Sequence, residues 1–311
     1  MILCITLNPI IDKLLKLNEF TQGKSAHVQE VKLMAGGKGN NVARVLKNLG
    51  FEVMAFNLLG GFEGKQFKSI LEAEKLNNSA MWINNRTRTH IFLKEENFNR
   101  LTDFYEPSPE ISEKEKKLLL IKIKNLIKRC KLVVMSGSSP CKITDDVFYE
   151  VARLANSYGI KAIIDSSQDA LKISLNASPF LIKPNKEETE EIINKKINNS
   201  YDIIEALDFY QSKNIKFIVI SMGKDGAFIR YNRKTYKSTT PDIPVLNPFG
   251  SGDCMVAGFI KGIFENRDIE DIISLGMAAG TANAARSDIA LINEKDINKF
   301  LPEIKVKLIS K

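Results

Sequence analysis

Several short stretches set an acid or a lysine beside glycines in the way phosphate chemistry requires, and the fullest is VLNPFGSGDCMVAGFIKGIFEN (245–266). Gly250, Ser251 and Gly252 form a turn of small residues feeding a helix whose apolar positions are Met255, Val256, Phe259, Ile260 and Ile263. Backbone N–H groups at such a helix start can converge on an anion, and the helix dipole adds positive potential. Asp253 lies in the first turn. A carboxylate there can take the proton of an attacking hydroxyl during phosphoryl transfer. It can equally be a helix-capping acid, so this segment alone leaves both roles open.

A second stretch, AGGKGNNVARVLKNLG (35–50), surrounds Lys38 with Gly36, Gly37 and Gly39 before a helix with an apolar face of Val42, Val45, Leu46 and Leu49. Gly50 is placed to end that helix. A glycine turn bearing one lysine suits phosphate, and it also suits a purely structural turn. It is not a Walker A loop, because position 32 is Lys and Gly39 stands where Ser or Thr should follow the lysine. No strand leads into a G-x-G-x-x-G turn, so a dinucleotide site has no support. Asp12, in TLNPIIDK, follows the first strand at the edge where open parallel sheets bind ligands. It could grip sugar hydroxyls or simply cap a loop. In FLIKPNKEETEEI (180–192), Asn185 and Glu188 are three residues apart at a helix start. Oxygen side chains in such numbers hold magnesium when phosphates and waters complete its shell, but N-x-x-E is also an ordinary capping box. SMGKDGAFI (221–229) could line a nucleotide or form a hairpin turn, and Arg88 in RTRTHIF sits on a short strand. His90, Trp82 and Met34 carry no signal separable from packing.

Positioning these groups requires a scaffold, and its outline is readable. Apolar runs at 2–7, 53–59, 132–135, 160–165, 180–183 and 215–220 read as strands covered on both faces. Helical patterns at 41–49, 64–75, 112–129, 143–157, 202–213, 252–265 and 269–286 lie between them. Such alternation builds βαβ units, hence a doubly wound α/β fold with a mostly parallel sheet and helices on both faces. Residues 13–35 and 80–106 break the pattern with short alternating segments and are expected to form a small β-sheet lid. No linker, low-complexity tract or repeat divides the chain, so residues 1–311 are expected to form one domain with an inserted lid.

Composition narrows the classes. The chain is 44% hydrophobic and 26% charged, and no apolar run approaches the ~18 residues of a membrane span. MILCITLNP lacks the layout of a secretory signal, so a cytoplasmic protein is expected. Four scattered cysteines and two histidines offer neither a disulfide framework nor an imidazole metal site. The formal charge of +8 comes from lysines dispersed along helices, as in KEKKLLLIKIKNLIKRCK (114–131), which reads as a solvated face rather than a nucleic-acid surface.

In combination, GGKGNNVARVL, TRTHI, GSSP, DSS, KPNKEE, SMGKDGA and GSGDCMVAGF resemble the motif set of the ribokinase-type (PfkB) carbohydrate kinases. Within that family TLNPIID, the GGKG stretch and the DSS segment resemble the 1-phosphofructokinase and tagatose-6-phosphate kinase group. The resemblance implies a ribokinase-like fold, with Asp253 as catalytic base and Gly250, Ser251 and Gly252 as its anion hole. It implies that Asp12, Gly37, Lys38 and Asn41 hold the sugar, with Arg88 and Lys38 gripping its phosphate. Lys183, Asn185, Ser221, Gly223, Gly226 and Asn283 would lie along ATP, and Glu188 would influence Mg2+. Lid strands in this family commonly form a homodimer contact. The implied reaction is ATP-dependent phosphorylation of a ketohexose monophosphate to the 1,6-bisphosphate. TDFY and DSSQDAL lean toward fructose 1-phosphate, which ranks first; LNPFGSGD and YEPSPEI lean toward tagatose 6-phosphate. A kinase of an unphosphorylated sugar or nucleoside would not need both Lys38 and Arg88, and a non-catalytic sensor would not need Asp253. The chain departs from the family pattern at GSSPCK (137–142) in place of GSLPPG, at His27 in place of arginine, and in lacking a glycine soon after Asn283.

Overall fold

Apolar runs that alternate with amphipathic helices can bury both faces of a sheet only by winding helices onto each side. The computed structural model describes residues 1–98 and 100–310. In chain order the elements are β1 (Ile2–Thr6), β2 (Ile10–Leu17), β3 (Glu30–Gly36), α1 (Lys38–Asn48), β4 (Val53–Leu59), α2 (Gly61–Ala73), β5 (Asn78–Trp82), β6 (Arg88–Glu95) and β7 (Arg100–Tyr105). They continue with α3 (Glu113–Ile127), β8 (Leu132–Ser136), α4 (Val147–Ser157), β9 (Lys161–Asp165), α5 (Gln168–Ser174), β10 (Leu181–Ile182), α6 (Lys186–Ile193), α7 (Ser200–Ser212) and β11 (Phe217–Ser221). The last are β12 (Ala227–Tyr231), β13 (Lys234–Thr239), α8 (Ser251–Phe264), α9 (Ile269–Ala284), α10 (Glu294–Phe300) and β14 (Lys305–Ser310).

The large sheet has ten strands in the order β14-β13-β12-β11-β10-β9-β8-β1-β4-β5. From β11 to β5 neighbouring strands are parallel. From β11 to β14 they are antiparallel. Along β1 successive side chains split between two cores. Ile2 and Cys4 join the layer of α1, α2, α8, α9 and α10, whereas Leu3 and Ile5 join that of α3, α4, α5 and α7. The doubly wound expectation is met. Because β1 lies between β8 and β4, the chain leaves these central strands in opposite directions. That reversal opens a crevice at their carboxyl ends.

The sequence runs expected as strands correspond to β1, β4, β8, β9, β10 and β11. Strands β5 and β12 to β14 lie outside those apolar runs. β13 (KTYKST) and β14 (KVKLIS) mix lysines with apolar residues and lie toward one edge of the sheet, so they lack the continuous apolar signature. Helix α3 buries Leu119, Ile123 and Ile127 at four-residue spacing while most of its lysines stay exposed. Its start is fixed by a capping box between Ser112 and Glu115.

The small sheet has the order β3-β2-β6-β7. It draws on the two segments expected to break the pattern, although β2 begins at Ile10 and β5 belongs to the large sheet. In its register Asp12 pairs with His90 and His90 with Tyr105, so these three share one face. No helix among the described residues is long and apolar enough to cross a membrane.

Candidate active site

The carboxyl ends of the central strands, the starts of α1, α6 and α8, and one face of the small sheet enclose a cleft of about 1400 Å³. It gathers Asp12, Gly37, Lys38, Asn41, Arg88, Lys183, Asn185, Ser221, Gly223, Gly250, Ser251, Gly252 and Asp253 around one space. Gly226, Glu188 and Asn283 are not among the lining residues.

Gly250 caps α8 with φ of 80°, a left-handed conformation that costs a residue with a Cβ but not glycine. Close packing of α8 on α9 aims the helix start. A Cβ on Gly258 would come within 2.5 Å of the Leu275 carbonyl oxygen. Asp253 follows in the first turn, buried, and accepts a hydrogen bond on Oδ2 from Asn41 Nδ2 at 2.8 Å. Burial pushes its carboxyl pKa up to about 7, assisted by the negative charge of Asp165 and opposed by Lys38, the Asn41 hydrogen bond and Lys183.

Beside it lies a charge cluster. Lys183, which follows β10, is 3.1 Å from Asp165 Oδ1 at the end of β9. Its Nζ would be 3.1 Å from a Cβ on residue 252, so this cation abuts the glycine turn. Lys38 Nζ is 3.8 Å from both Asp165 Oδ1 and Glu188 Oε1, and these acids raise its pKa, Asp165 most strongly. The Asp165 carboxyl is held below its usual range chiefly by Lys183 and Lys38, against the opposing effect of burial. Neither of its oxygens has a hydrogen-bond partner of ordinary geometry.

Asn185 and Glu188 do form a capping box: Asn185 Oδ1 accepts from Glu188 N at 2.7 Å, and Glu188 Oε2 accepts from Asn185 N at 2.9 Å. The two readings are compatible, since the box fixes Oε2 and leaves Oε1 facing Lys38. No group of three His, Cys, Asp or Glu among the described residues could cage a metal. Glu188 Oε1, left free by the box, fits a cation that arrives bound to phosphates and needs few protein ligands.

Across the cleft, Arg88 extends one amino group toward the Asn8 carbonyl at 3.4 Å, and its buried Nε has no partner. Lys38 and Arg88 line the same space, with Lys38 engaged by Asp165 and Glu188. Asp12 Oδ1 lies 3.0 Å from His90 Nδ1. The imidazole is buried, stacks on Tyr105 at 3.8 Å and lies 3.6 Å from Asp103 through Nε2. Burial raises the Asp12 carboxyl pKa, and His90, Arg44 and Arg88 oppose it.

The 221–226 segment is a hairpin turn between β11 and β12 whose Ser221 and Gly223 line the cleft. Asn283 is fully buried and makes three hydrogen bonds to the glycine turn and its neighbour. Nδ2 donates to Phe249 O and Ser251 Oγ, and Oδ1 accepts from Ala290 N. Its amide holds loops together instead of facing the cleft.

Sequence reasoning passed over His90 and the chemistry of Asp165. Alternation along β6 puts His90 on the same face as Arg88, and Asp165 is a carboxylate at the carboxyl end of a parallel strand.

A family model described as pfkB family carbohydrate kinase matches residues 5–295. The 1-phosphofructokinase of Borreliella burgdorferi is 36% identical over 308 residues, covering 99% of this chain and 98% of its own length. The tagatose-6-phosphate kinase of Staphylococcus epidermidis is 34% identical over 309 residues, covering 98% of this chain and 99% of its own. Among solved structures, the tetrameric inhibited form of phosphofructokinase-2 from Escherichia coli matches with a TM-score of 0.88 at 25% identity, over 97% of this chain and 98% of that one.

Proposed function

The chain belongs to the pfkB family of carbohydrate kinases, and on that premise we propose that it transfers the γ-phosphoryl group of ATP to a ketohexose monophosphate, giving the 1,6-bisphosphate. It is then a phosphotransferase with an alcohol acceptor. One observation carries the reading: a buried carboxylate, Asp253, stands in the first turn of α8 beside the Gly250–Gly252 turn and Lys183, across a cleft from a second cation, Arg88.

In this reading the acceptor hydroxyl lies against Asp253, which takes its proton as the oxygen attacks phosphorus. Backbone N–H groups of the glycine turn and the ammonium of Lys183 receive the negative charge that builds on the transferring oxygens. Lys38 bridges the two carboxylates there and offers its remaining donors to phosphate. Asp12, oriented by His90, holds sugar hydroxyls together with Gly37 and Asn41, and Arg88 holds the phosphate the sugar already bears. The nucleotide lies along Asn185, Ser221, Gly223 and Gly226. Glu188 Oε1 would hold the magnesium that accompanies the nucleotide, whose chemistry there is to neutralise phosphate charge. Asn283 acts here on the turn that meets the phosphates.

The small sheet closes one side of the cleft as a lid within a single domain. Val31, Leu33 and Phe104 are exposed on the face opposite Asp12 and His90, which supports a second copy meeting the lid there. Dependence on ATP and a phosphorylated sugar, charged molecules that do not cross membranes freely, goes with a cytoplasmic location.

Fructose 1-phosphate is ranked first as substrate. Tagatose 6-phosphate is second, favoured by the relative of that name at 34% identity. An ADP-release assay with Mg-ATP against fructose 1-phosphate, tagatose 6-phosphate, fructose 6-phosphate, fructose, ribose and adenosine tests both. Turnover confined to phosphorylated ketoses is expected, with fructose 1-phosphate giving the highest kcat/KM. Turnover only on fructose, ribose or adenosine would overturn the assignment of Arg88, and silence across the panel would overturn the kinase reading.

A further inference from the structure

Asn41 could face Asp253 with either end of its amide, and only one end helps a base. If Nδ2 points at the carboxylate, it stabilises the ionised form. If Oδ1 does, the pair is satisfied only when Asp253 carries a proton. The residue that decides between them lies one turn further along α1.

Arg44 is 3% exposed, and its guanidinium is engaged on three sides. Nε and one amino group fork onto Glu74 at 2.9 and 3.1 Å, at the carboxyl end of α2. That amino group also reaches the Ala35 carbonyl at 2.9 Å, just before the glycine turn. The other donates to Asn41 Oδ1 at 2.9 Å. A guanidinium has donors only and keeps its charge at any working pH. Asn41 must therefore turn its oxygen toward Arg44, which leaves Nδ2 no direction but Asp253, where it donates at 2.8 Å. The chain of bonds runs one way, from Glu74 through Arg44 and Asn41 to Asp253.

We propose that Arg44, anchored by Glu74, is a positioning residue that locks the Asn41 amide as a donor to Asp253 and so keeps the base ready to accept a proton. Arg44 lines no part of the cleft and acts only through Asn41. The catalytic consequence rests on the kinase reading above; the orientation of the amide does not. The groups facing Asp253 are Asn41 and Lys38 from α1, Asp165 from β9 and Lys183 after β10, with Cys254 next to it in α8. Of these, Asn41 alone changes sign of effect by rotating.

The test compares kcat/KM against pH for the full-length wild type, Arg44→Met and Arg44→Lys, with folding checked by circular dichroism and thermal melting. Substrate ionisations are common to all three and cancel in the comparison. Losing a hydrogen bond to a charged group should move the acid limb of Arg44→Met upward by about one pH unit. Arg44→Lys, which keeps a charged donor against Asn41, should restore most of the limb. A folded Arg44→Met enzyme of lower turnover with its limb unmoved would reduce Arg44 to a packing role and overturn the proposal. Where Arg44→Met does not fold, Arg44→Gln carries the same expectation, because its amide no longer dictates the orientation of Asn41. A second readout needs no substrate. In carboxyl-labelled protein, the Asp253 NMR signal, identified by its loss in Asp253→Asn, should titrate about one unit higher in Arg44→Met. Wild-type silence on every sugar would sink the kinase reading while this titration still decided the role of Arg44; an unmoved midpoint would sink the role while leaving the kinase reading intact.

Discussion

At the scale of single residues, a base that removes a hydroxyl proton is most effective with its pKa near the working pH. Asp253 is drawn there by burial and by Asp165, and is restrained by Lys38, Asn41 and Lys183. Since only the ionised form accepts a proton, kcat/KM should climb as pH rises through about 7, and a profile flat from pH 5 to 9 would remove Asp253 from the proton transfer. Asp253→Asn should lower kcat by about 10²–10⁴-fold with sugar affinity retained, checked by the ADP-release assay and by equilibrium binding. Arg88 makes a different prediction. Its orphaned Nε and its place on the lid face point to an anion on that side of the cleft. Arg88→Ala should raise the KM for the phosphosugar about tenfold or more, the weight of a charge-assisted hydrogen bond. KM for ATP should stay within about twofold, because Arg88 stands on the small sheet whereas Lys183 follows β10 and Glu188 lies in α6 of the main body. Equal effects on both would dissociate Arg88 from the sugar phosphate. Asp253 and Lys38 were legible as candidates because glycines flank them, whereas Arg88 was singled out only by the family resemblance. The Lys183–Asp165 pair was not legible, since it exists only once β9 and β10 lie side by side.

At the scale of elements, a buried amide that does not line the cleft can still decide how a loop performs. Asn283, at the end of α9, ties Phe249, Ser251 and Ala290 together and so fixes the glycine turn that leads into α8. Asn283→Ala should cost about 1–3 kcal/mol of stability, the penalty for orphaning buried backbone groups. It should also lower kcat and raise the KM of ATP and GTP together, since in the proposed function the turn it holds serves phosphates and not the purine. Selective loss of ATP over GTP would return Asn283 to an adenine contact. The resemblance alone had placed this residue along ATP. Neighbourhood can be inferred that way, but whether a side chain faces the ligand or the loop behind it depends on loop packing that no local pattern encodes. The elements themselves were more legible. β1, β4, β8 and β9 are continuous apolar runs because both faces are covered. β13 and β14 escaped because antiparallel strands near an open edge alternate polar and apolar residues and can be mistaken for loops.

At the scale of the whole molecule, the two helical layers meet the sheet's carboxyl ends at one place, and there the fold gathers the carboxyls of Asp165, Glu188 and Asp253 with the ammonium groups of Lys38 and Lys183. Asp165 and Asp253 contribute to stability with opposite signs. For Asp165, whose folded pKa is depressed by Lys183 and Lys38, the contribution is stabilising above the ordinary carboxylate range and is lost as pH falls through its folded value. For Asp253 the sign is opposite. Its folded pKa of about 7 lies above the ordinary 3.8, so the native state binds more protons than the unfolded chain between those values. Stability must then fall as pH rises through that window and stay reduced above it. An asparagine at 253 carries no charge to desolvate and can still accept from Asn41. Asp253→Asn should therefore be more stable than the wild type at pH 8 by on the order of 2–4 kcal/mol, while nearly inactive. The excess should shrink as pH is lowered through about 7 toward 4, because the native carboxyl is then protonated and no charge remains to be desolvated. Urea unfolding of both proteins at pH 5 and pH 8 measures it. Equal stabilities at pH 8 would mean that Lys38 and Lys183 already neutralise Asp253 in the free protein, and the acid limb of activity should then lie well below neutrality.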